Sequence, residues 1–419
     1  MAIKKDLYEL GETPPLGYVP RRMYGSVIRP ERYGEPRDAF ATEIVEVPQI
    51  GARQVLVWVM AAGINYNNVW ASLGKPIDVV GERMKHDKSA PPFHIGGSDA
   101  SGIVWAVGKD VKNPKVGDHV VLSCAMWDEN ADDVRAGADP ITSVSSRIWG
   151  YEENWGSFAQ LTKVDDYQCH AKPPALSWDA AAAYMLVGAT AYRQLLGWPP
   201  HVVGPGTLVL VWGGAGGVGS IAIQITKAKG GIPIAVVSSA ERADFCRRIG
   251  AAGVIDRSEP AFTHWGRLPD IDDAAAVARW MQGANAFRKR WAEVSGSRRG
   301  PRIVVEHPGE ATMPTSLLMC DTAGMVVTCA GTTGYNADID LRYLWMRQKR
   351  LQGSHFANIE QCRALNEMVA AGTVDPVLSR TFEFDELGLV HQLLRENRLP
   401  PGNAAVLVNA KRSCGGAKI

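Results

Sequence analysis

Thr207-Leu-Val-Leu-Val-Trp-Gly-Gly-Ala-Gly-Gly-Val-Gly219-Ser220 is the stretch on which the fold turns. It opens with an apolar run of the kind found in strands buried on both faces of a parallel sheet. It then breaks into glycine, with Gly214, Gly216 and Gly219 at GxGxxG spacing, and residues 221–228 continue with apolar side chains at helical intervals. Strand, glycine turn and helix form the context in which this spacing binds a dinucleotide. Gly214 is expected to permit the turn, Gly216 to let backbone approach a pyrophosphate, and Gly219 to let the helix pack close to the strand. Gly217 and Val218 complete the helix N-terminus, whose N–H groups and partial positive charge suit phosphate.

Beyond this stretch the pattern alternates. Residues 232–238 read as a second strand, 240–249 as a helix and 252–256 as a third strand. Residues 302–307, 324–330 and 351–355 read as later strands. Residues 258–300 are polar and rich in Trp and Arg, and are expected to be an insertion carrying one helix near 274–291. Such alternation predicts an α/β fold with a doubly wound parallel sheet, a Rossmann domain over 191–359. The second strand ends at Ser238-Ser239-Ala240, followed by Glu241-Arg242. NAD sites place an acid at that strand end, whereas NADP sites lack it and supply Arg. Two hydroxyls and a cation at Ser238, Ser239 and Arg242 therefore favour NADPH; Ser239 as a helix N-cap is compatible with either nucleotide.

Upstream, residues 41–47, 54–60, 100–107 and 116–122 read as strands with short turns, preceded by a proline-rich arm over 1–22. Residues 177–196 change to helical period and are expected to bridge two domains. Residues 404–408 read as a strand that returns to the β-rich domain, so that 1–190 and 360–419 form one discontinuous domain and the catalytic cleft falls between the two. A net charge of +1 favours neither nucleic acid nor a membrane surface. No apolar run reaches the length of a membrane span, and the N-terminus does not resemble a signal peptide. Seven scattered cysteines without CxxC spacing predict reduced thiols, hence a cytoplasmic protein.

Gly63-Ile-Asn-Tyr-Asn-Asn-Val-Trp70 and the domain order resemble the medium-chain dehydrogenase/reductase superfamily, which implies that the β-rich domain is GroES-like. Within it, longer segments resemble the enoyl-CoA carboxylases/reductases, the crotonyl-CoA carboxylase/reductase subfamily. They are Arg147-Ile-Trp-Gly-Tyr-Glu152, Asn154-Trp-Gly-Ser-Phe-Ala159, Glu306-His-Pro-Gly309, Tyr343-Leu-Trp-Met346, Lys349-Arg350 and Gly353-Ser-His-Phe-Ala-Asn358. The superfamily's zinc enzymes place Cys at the position of Asn65 and His-Glu at that of Ser98-Asp99. Both are replaced here, and His94 and His119 offer no converging ligand set, so no metal is expected.

The resemblance implies reduction of an α,β-unsaturated thioester: hydride reaches the β-carbon and an enolate forms, captured by CO2 to give an alkylmalonyl-CoA such as ethylmalonyl-CoA. It further implies a CO2 pocket built from Asn67 (with Asn65 as the alternative), Tyr151-Glu152 and His355, with His307 on the cofactor. An amide suits CO2 because it donates a hydrogen bond without being a general acid. Glu152 is expected to orient a water or His355. Tyr stands at 151 where the subfamily often has Phe, and Trp stands at 155. Arg342, Arg347, Lys349 and Arg350 are the candidates for the CoA phosphates. Two other readings remain: enoyl-CoA or quinone-type reduction without CO2, and a non-catalytic NADPH-binding protein. A homo-oligomer, tetramer or dimer, is expected through an exposed edge strand near 324–330.

Overall fold

The computed structural model describes residues 4–259 and 268–411. The chain forms two compact units. The first holds residues up to Leu186, then Asn358–Ala370 and the chain from Pro376 onward; the second holds Val187–Ala357 and Ala371–Asp375.

In the second unit the expected sheet is present: six strands, all parallel. Its spatial order is Gly253–Asp256, Ile232–Val237, Leu208–Trp212, Ile303–Glu306, Met325–Thr328, Arg350–Gly353. The apolar run that opens the glycine stretch is central, which is why it needs no polar face. Two expectations need correction. Met325–Thr328 is paired on both sides, so the edge strand is Arg350–Gly353, whose alternate residues are exposed. The segment 258–300 is also more than an insertion. Its helix, Ala274–Ser295, is the crossover between the third and fourth strands. It buries Trp280, Phe287 and Trp291, and the Phe287 ring stacks on Trp212 at 6.0 Å. Spacings of seven and four put these aromatics on one helical face, which charged neighbours hid in a composition count. Residues 260–267 of that segment lie outside the described residues.

The first unit is built on a seven-stranded sheet around Gln54–Gly63, which pairs antiparallel with Ala100–Val107, Leu161–Asp165 and Asn403–Leu407. The last of these is the expected closing strand. A smaller antiparallel sheet joins Ala41–Glu46, Arg22–Ile28 and His94–Ile95. The bridging segment is two helices rather than one, Trp178–Ala182 and Met185–Leu196, and the chain enters the second unit in the first turn of the latter.

Three histidines of the first unit are buried, and burial lowers their imidazoles from the ordinary 6.5: His94 to about 3, His170 and His391 to about 4. The folded state keeps them neutral, while the unfolded chain protonates them below about pH 6.5. Stability is therefore complete above that pH and is lost as pH falls toward 4, by up to ~1.4 kcal/mol per pH unit for each histidine. His307, lowered to about 4, works in the same sense, while Asp99, Glu153 and Glu306, raised by burial, work in the opposite one. The buried histidines taken alone lower Tm between pH 7 and pH 5. His391→Phe should flatten that drop in a thermal melt; an unchanged slope would refute the assignment.

Candidate active site

At the glycine turn, the residue with the left-handed backbone is Gly213, at φ +57°, and not Gly214. Gly214 is required for a different reason: a Cβ there would lie 2.7 Å from the Ala235 methyl of the neighbouring strand. A Cβ on Gly219 would lie 2.3 Å from the Gly213 carbonyl, so the close approach of helix Gly217–Ala228 depends on it. Gly216, the helix N-cap, is open by contrast; a Cβ there meets only the Gly213 oxygen, at 3.4 Å. The N–H groups of Gly217, Val218 and Gly219 have no intrahelical acceptor, being the first turn. An open backbone face with free donors fits a pyrophosphate.

Beside the turn, His307 is bonded through Nε2 to the Trp212 carbonyl at 3.1 Å. Burial lowers this imidazole to about 4, so it is neutral and Nε2–H is the donor. Its neighbour Glu306 is fully buried and accepts from Gly309 N, Thr312 Oγ1 and Ser316 Oγ, which fixes the turn that carries His307. Ser239 does cap the following helix, accepting from Arg242 N at 3.3 Å. Ser238 and Arg242 are half-buried. The sequence reading overlooked Arg257, whose backbone N–H bonds Val237 O and whose charge acts on His307. It directly follows the third strand, which pairs Asp256 with Val237, so it stands at the same strand end as Ser238. No carboxylate occupies Ser238, and two cations lie near that strand end, as a 2′-phosphate requires.

In the first unit, Asn67 begins helix Asn67–Leu73. Its Nδ2 donates to Ser98 Oγ at 2.8 Å, and its Oδ1 accepts from Asn68 Nδ2 at 3.0 Å. Asn68 Oδ1 in turn accepts from the Gly97 backbone N–H at 3.0 Å. A peptide N–H can only donate, so the sense of the whole chain is set: Asn68 must present its NH2 to Asn67, and Asn67 its own NH2 outward. Ser98 takes one of the two Asn67 N–H bonds, leaving the other to donate. This relay was not foreseen in the sequence, since its members are about thirty positions apart.

Asn65 lies deeper, and its amide faces the buried Asp99 carboxyl and favours its charged form. Asp99 Oδ2 accepts from Leu186 N at 3.1 Å. Burial raises the Asp99 carboxyl well above the usual range. Tyr151 is 7% exposed and packs against Trp70, on the Asn67 helix, at 6.4 Å between rings. Glu152 Oε2 accepts from Ile148 N at 2.9 Å, so one carboxylate oxygen is committed to its own turn. This loop sits hard against the Gly97–Ser98 segment: a Cβ on Gly150 would lie 2.0 Å from Gly97 O. Asn67, Ser98, Tyr151 and Glu152 are thereby gathered in one region of the first unit.

His355 belongs to the second unit. It does not end an apolar strand as expected: the strand stops at Gly353, and His355 is exposed beyond it. The four basic residues proposed for CoA do not form one group either. Arg342 is paired with Asp340 at 2.7 Å, and Arg350 reaches the Pro199 carbonyl at 3.3 Å and the Trp198 ring. Only Arg347 and Lys349 share a cavity.

Among the described residues, no group of three or more His, Cys, Asp or Glu side chains could hold a metal ion. His94 is buried in a strand and His119 packs on the Trp178 ring at 4.8 Å. The catalytic zinc of alcohol dehydrogenases does not fit these residues, because the Asn65 amide lacks a thiolate's charge and burial keeps Cys124 and Cys362 protonated. No described helix is long and apolar enough to cross a membrane.

These two units define the class. The alcohol dehydrogenase GroES-like domain matches residues 51–174, and the zinc-binding dehydrogenase family matches residues 217–371. Within that class, the chain belongs to the crotonyl-CoA carboxylase/reductase family. It is 48% identical to the crotonyl-CoA carboxylase/reductase of Cereibacter sphaeroides over 98% of this chain and 94% of that one. The crotonyl-CoA carboxylase/reductase AntE, solved in complex with NADP, shares 61% identity, with a TM-score of 0.93 over 98% of this chain and all of that one. The 2-octenoyl-CoA carboxylase reductase CinF, solved with NADP and 2-octenoyl-CoA, shares 34% identity, with a TM-score of 0.86 over 94% of this chain and 90% of that one.

Proposed function

We propose that this enzyme uses NADPH to carboxylate a 2-enoyl-CoA reductively, giving an alkylmalonyl-CoA. The observation that carries the reading is the unused Asn67 N–H, held in fixed orientation by the Asn68–Gly97 relay. Gly214, Gly216, Gly217, Val218 and Gly219 hold the pyrophosphate of the cofactor, His307 flanks it, and Ser238, Ser239, Arg242 and Arg257 take the 2′-phosphate. When bound, NADPH supplies the hydride that saturates the β-carbon of the thioester.

The residues of this chain decide the fate of the enolate. Negative charge arriving on the substrate's α-carbon and thioester oxygen must meet CO2 and not a proton. Asn67 donates to a CO2 oxygen and, being an amide, cannot protonate the enolate. Tyr151 and Trp70 shield the donor from loose water. Glu152 keeps one oxygen to orient a water. The Asp99 acid is wholly buried, at 0% exposed, so substrate does not meet it.

A second reading, reduction ending in protonation, is favoured by Tyr151, which brings a hydroxyl where the subfamily often has Phe. One experiment separates them. Crotonyl-CoA and NADPH are incubated with labelled bicarbonate and carbonic anhydrase, and the acyl-CoA product is weighed. Labelled ethylmalonyl-CoA is the expected result; butyryl-CoA alone at saturating CO2 would leave only the reductase.

A further inference from the structure

The turn that follows Tyr151 and Glu152 carries an uncommon backbone. Trp155 stands at φ +64°, a left-handed conformation that a bulky side chain keeps only under constraint. Constraints lie on both sides of it. Its carbonyl accepts from Trp149 Nε1 at 2.9 Å and from Thr162 Oγ1, and its ring meets Phe93 edge to face at 5.6 Å. Just before it, the Asn154 side chain is 6% exposed and makes two bonds to residues 93–95. Oδ1 accepts from Ile95 N at 2.8 Å, and Nδ2 donates to Phe93 O at 3.1 Å. A peptide N–H can only donate and a peptide carbonyl only accept, so this amide has one orientation.

The segment that Asn154 grips is also the one that orients Asn67. Residues 93–98 give Phe93 O and Ile95 N to Asn154, then Gly97 N to Asn68 and Ser98 Oγ to Asn67. The stretch is itself pinned by Arg83, whose Nη2 donates to Phe93 O at 2.6 Å. Main-chain bonds tie the loop to its neighbours at its two ends, Trp149 N to Cys124 O and Gly156 N to Ile95 O, both at 2.8 Å. Between those ends the bonds turn inward. Gly150 N donates to Glu153 O, the N–H groups of Tyr151 and Glu153 donate to Ile148 O, and Glu152 Oε2 accepts from Ile148 N. Inward bonds fix the shape of a loop and leave its placement open; the Asn154 amide supplies placement.

We propose that Asn154 is a positioning residue for carboxylation: its amide holds the strained turn at Trp155 and so keeps Tyr151 and Glu152 in register with the Asn67 donor. The proposal rests on the function proposed above, in which those groups surround CO2. Without the amide, Trp155 is free to relax to a negative φ, and the rotation passes to residues 151–152 a few positions upstream. The enolate reacts with whichever partner is in place, so a small displacement of the loop harms capture of CO2 more than delivery of hydride.

The test is the partition of crotonyl-CoA between labelled ethylmalonyl-CoA and butyryl-CoA, with NADPH and carbonic anhydrase at one fixed concentration of labelled dissolved CO2. This ratio does not depend on how much of the enzyme is folded, so a loss of stability alone leaves it unmoved. In Asn154→Ala the ratio is expected to fall by about tenfold or more, as the loss of two neutral hydrogen bonds implies, with a raised KM for CO2. Asn154→Asp keeps the shape and the acceptor for Ile95 N but loses the donor to Phe93 O. It should shift the ratio in the same direction, and it answers the question by itself should the alanine variant fail to fold in a thermal melt. A wild-type ratio in either folded variant overturns the proposal. Butyryl-CoA alone from the wild type overturns the proposed function instead, and the two failures are thereby told apart.

Discussion

Replacing Asn67 by alanine is expected to slow carbon–carbon bond formation by about 10²-fold while NADPH oxidation falls much less. The lost donor acts where charge develops, and such donors contribute ~2–4 kcal/mol. Product should shift from alkylmalonyl-CoA toward the saturated acyl-CoA, read as a mass ratio under labelled CO2. Ser98→Ala should have a milder effect in the same direction, because it frees the Asn67 amide to rotate without removing it. An unaltered product ratio in Asn67→Ala would transfer the role to Asn65, the other amide of this segment.

The other large effect is expected at the glycine turn. In Gly219→Val the new Cβ would fall 2.3 Å from the Gly213 carbonyl, so either the helix retreats or the turn opens. Both displace the N–H groups of Gly217 and Val218. Charge-assisted hydrogen bonds contribute ~1.5–3 kcal/mol each, so the loss of two weakens NADPH binding by about 10²-fold or more. Overpacking also lowers stability by ~1–3 kcal/mol. Gly216→Ala separates the two contributions, since its methyl meets protein only at 3.4 Å. That variant should melt like the wild type and still bind NADPH more weakly, as followed by fluorescence titration. Equal affinity in both variants would show that the pyrophosphate does not lie on this turn.

The parallel sheet was legible because its signals are local: an apolar run, a glycine spacing and a return to helical period all lie within about twenty residues of 207. What escaped was set by distance or by mixture. Gly213 took the turn expected of Gly214 because left-handed backbone and close packing both call for glycine, and one letter cannot tell them apart. The helix Ala274–Ser295 looked like an insertion because its buried Trp280, Phe287 and Trp291 sit among exposed charges. At the site, Asn67 was recognisable only through resemblance to a family. The groups that orient it, Asn68, Gly97 and Ser98, required the fold to bring distant loops together. The basic run near 347 was visible, yet its charge partners at Arg288 and Arg298 come from another element.

The Asn67 relay is anchored at Gly97 on a peptide group, and peptide groups neither gain nor lose protons across the pH range of enzymes. Its polarity is accordingly pinned like a compass needle: no change in acidity reverses which end gives and which receives. A carboxylate or imidazole in the same place would alternate between giver and receiver with its surroundings. An enzyme that must welcome a neutral gas while turning away protons thus gains a pocket whose character does not follow the medium.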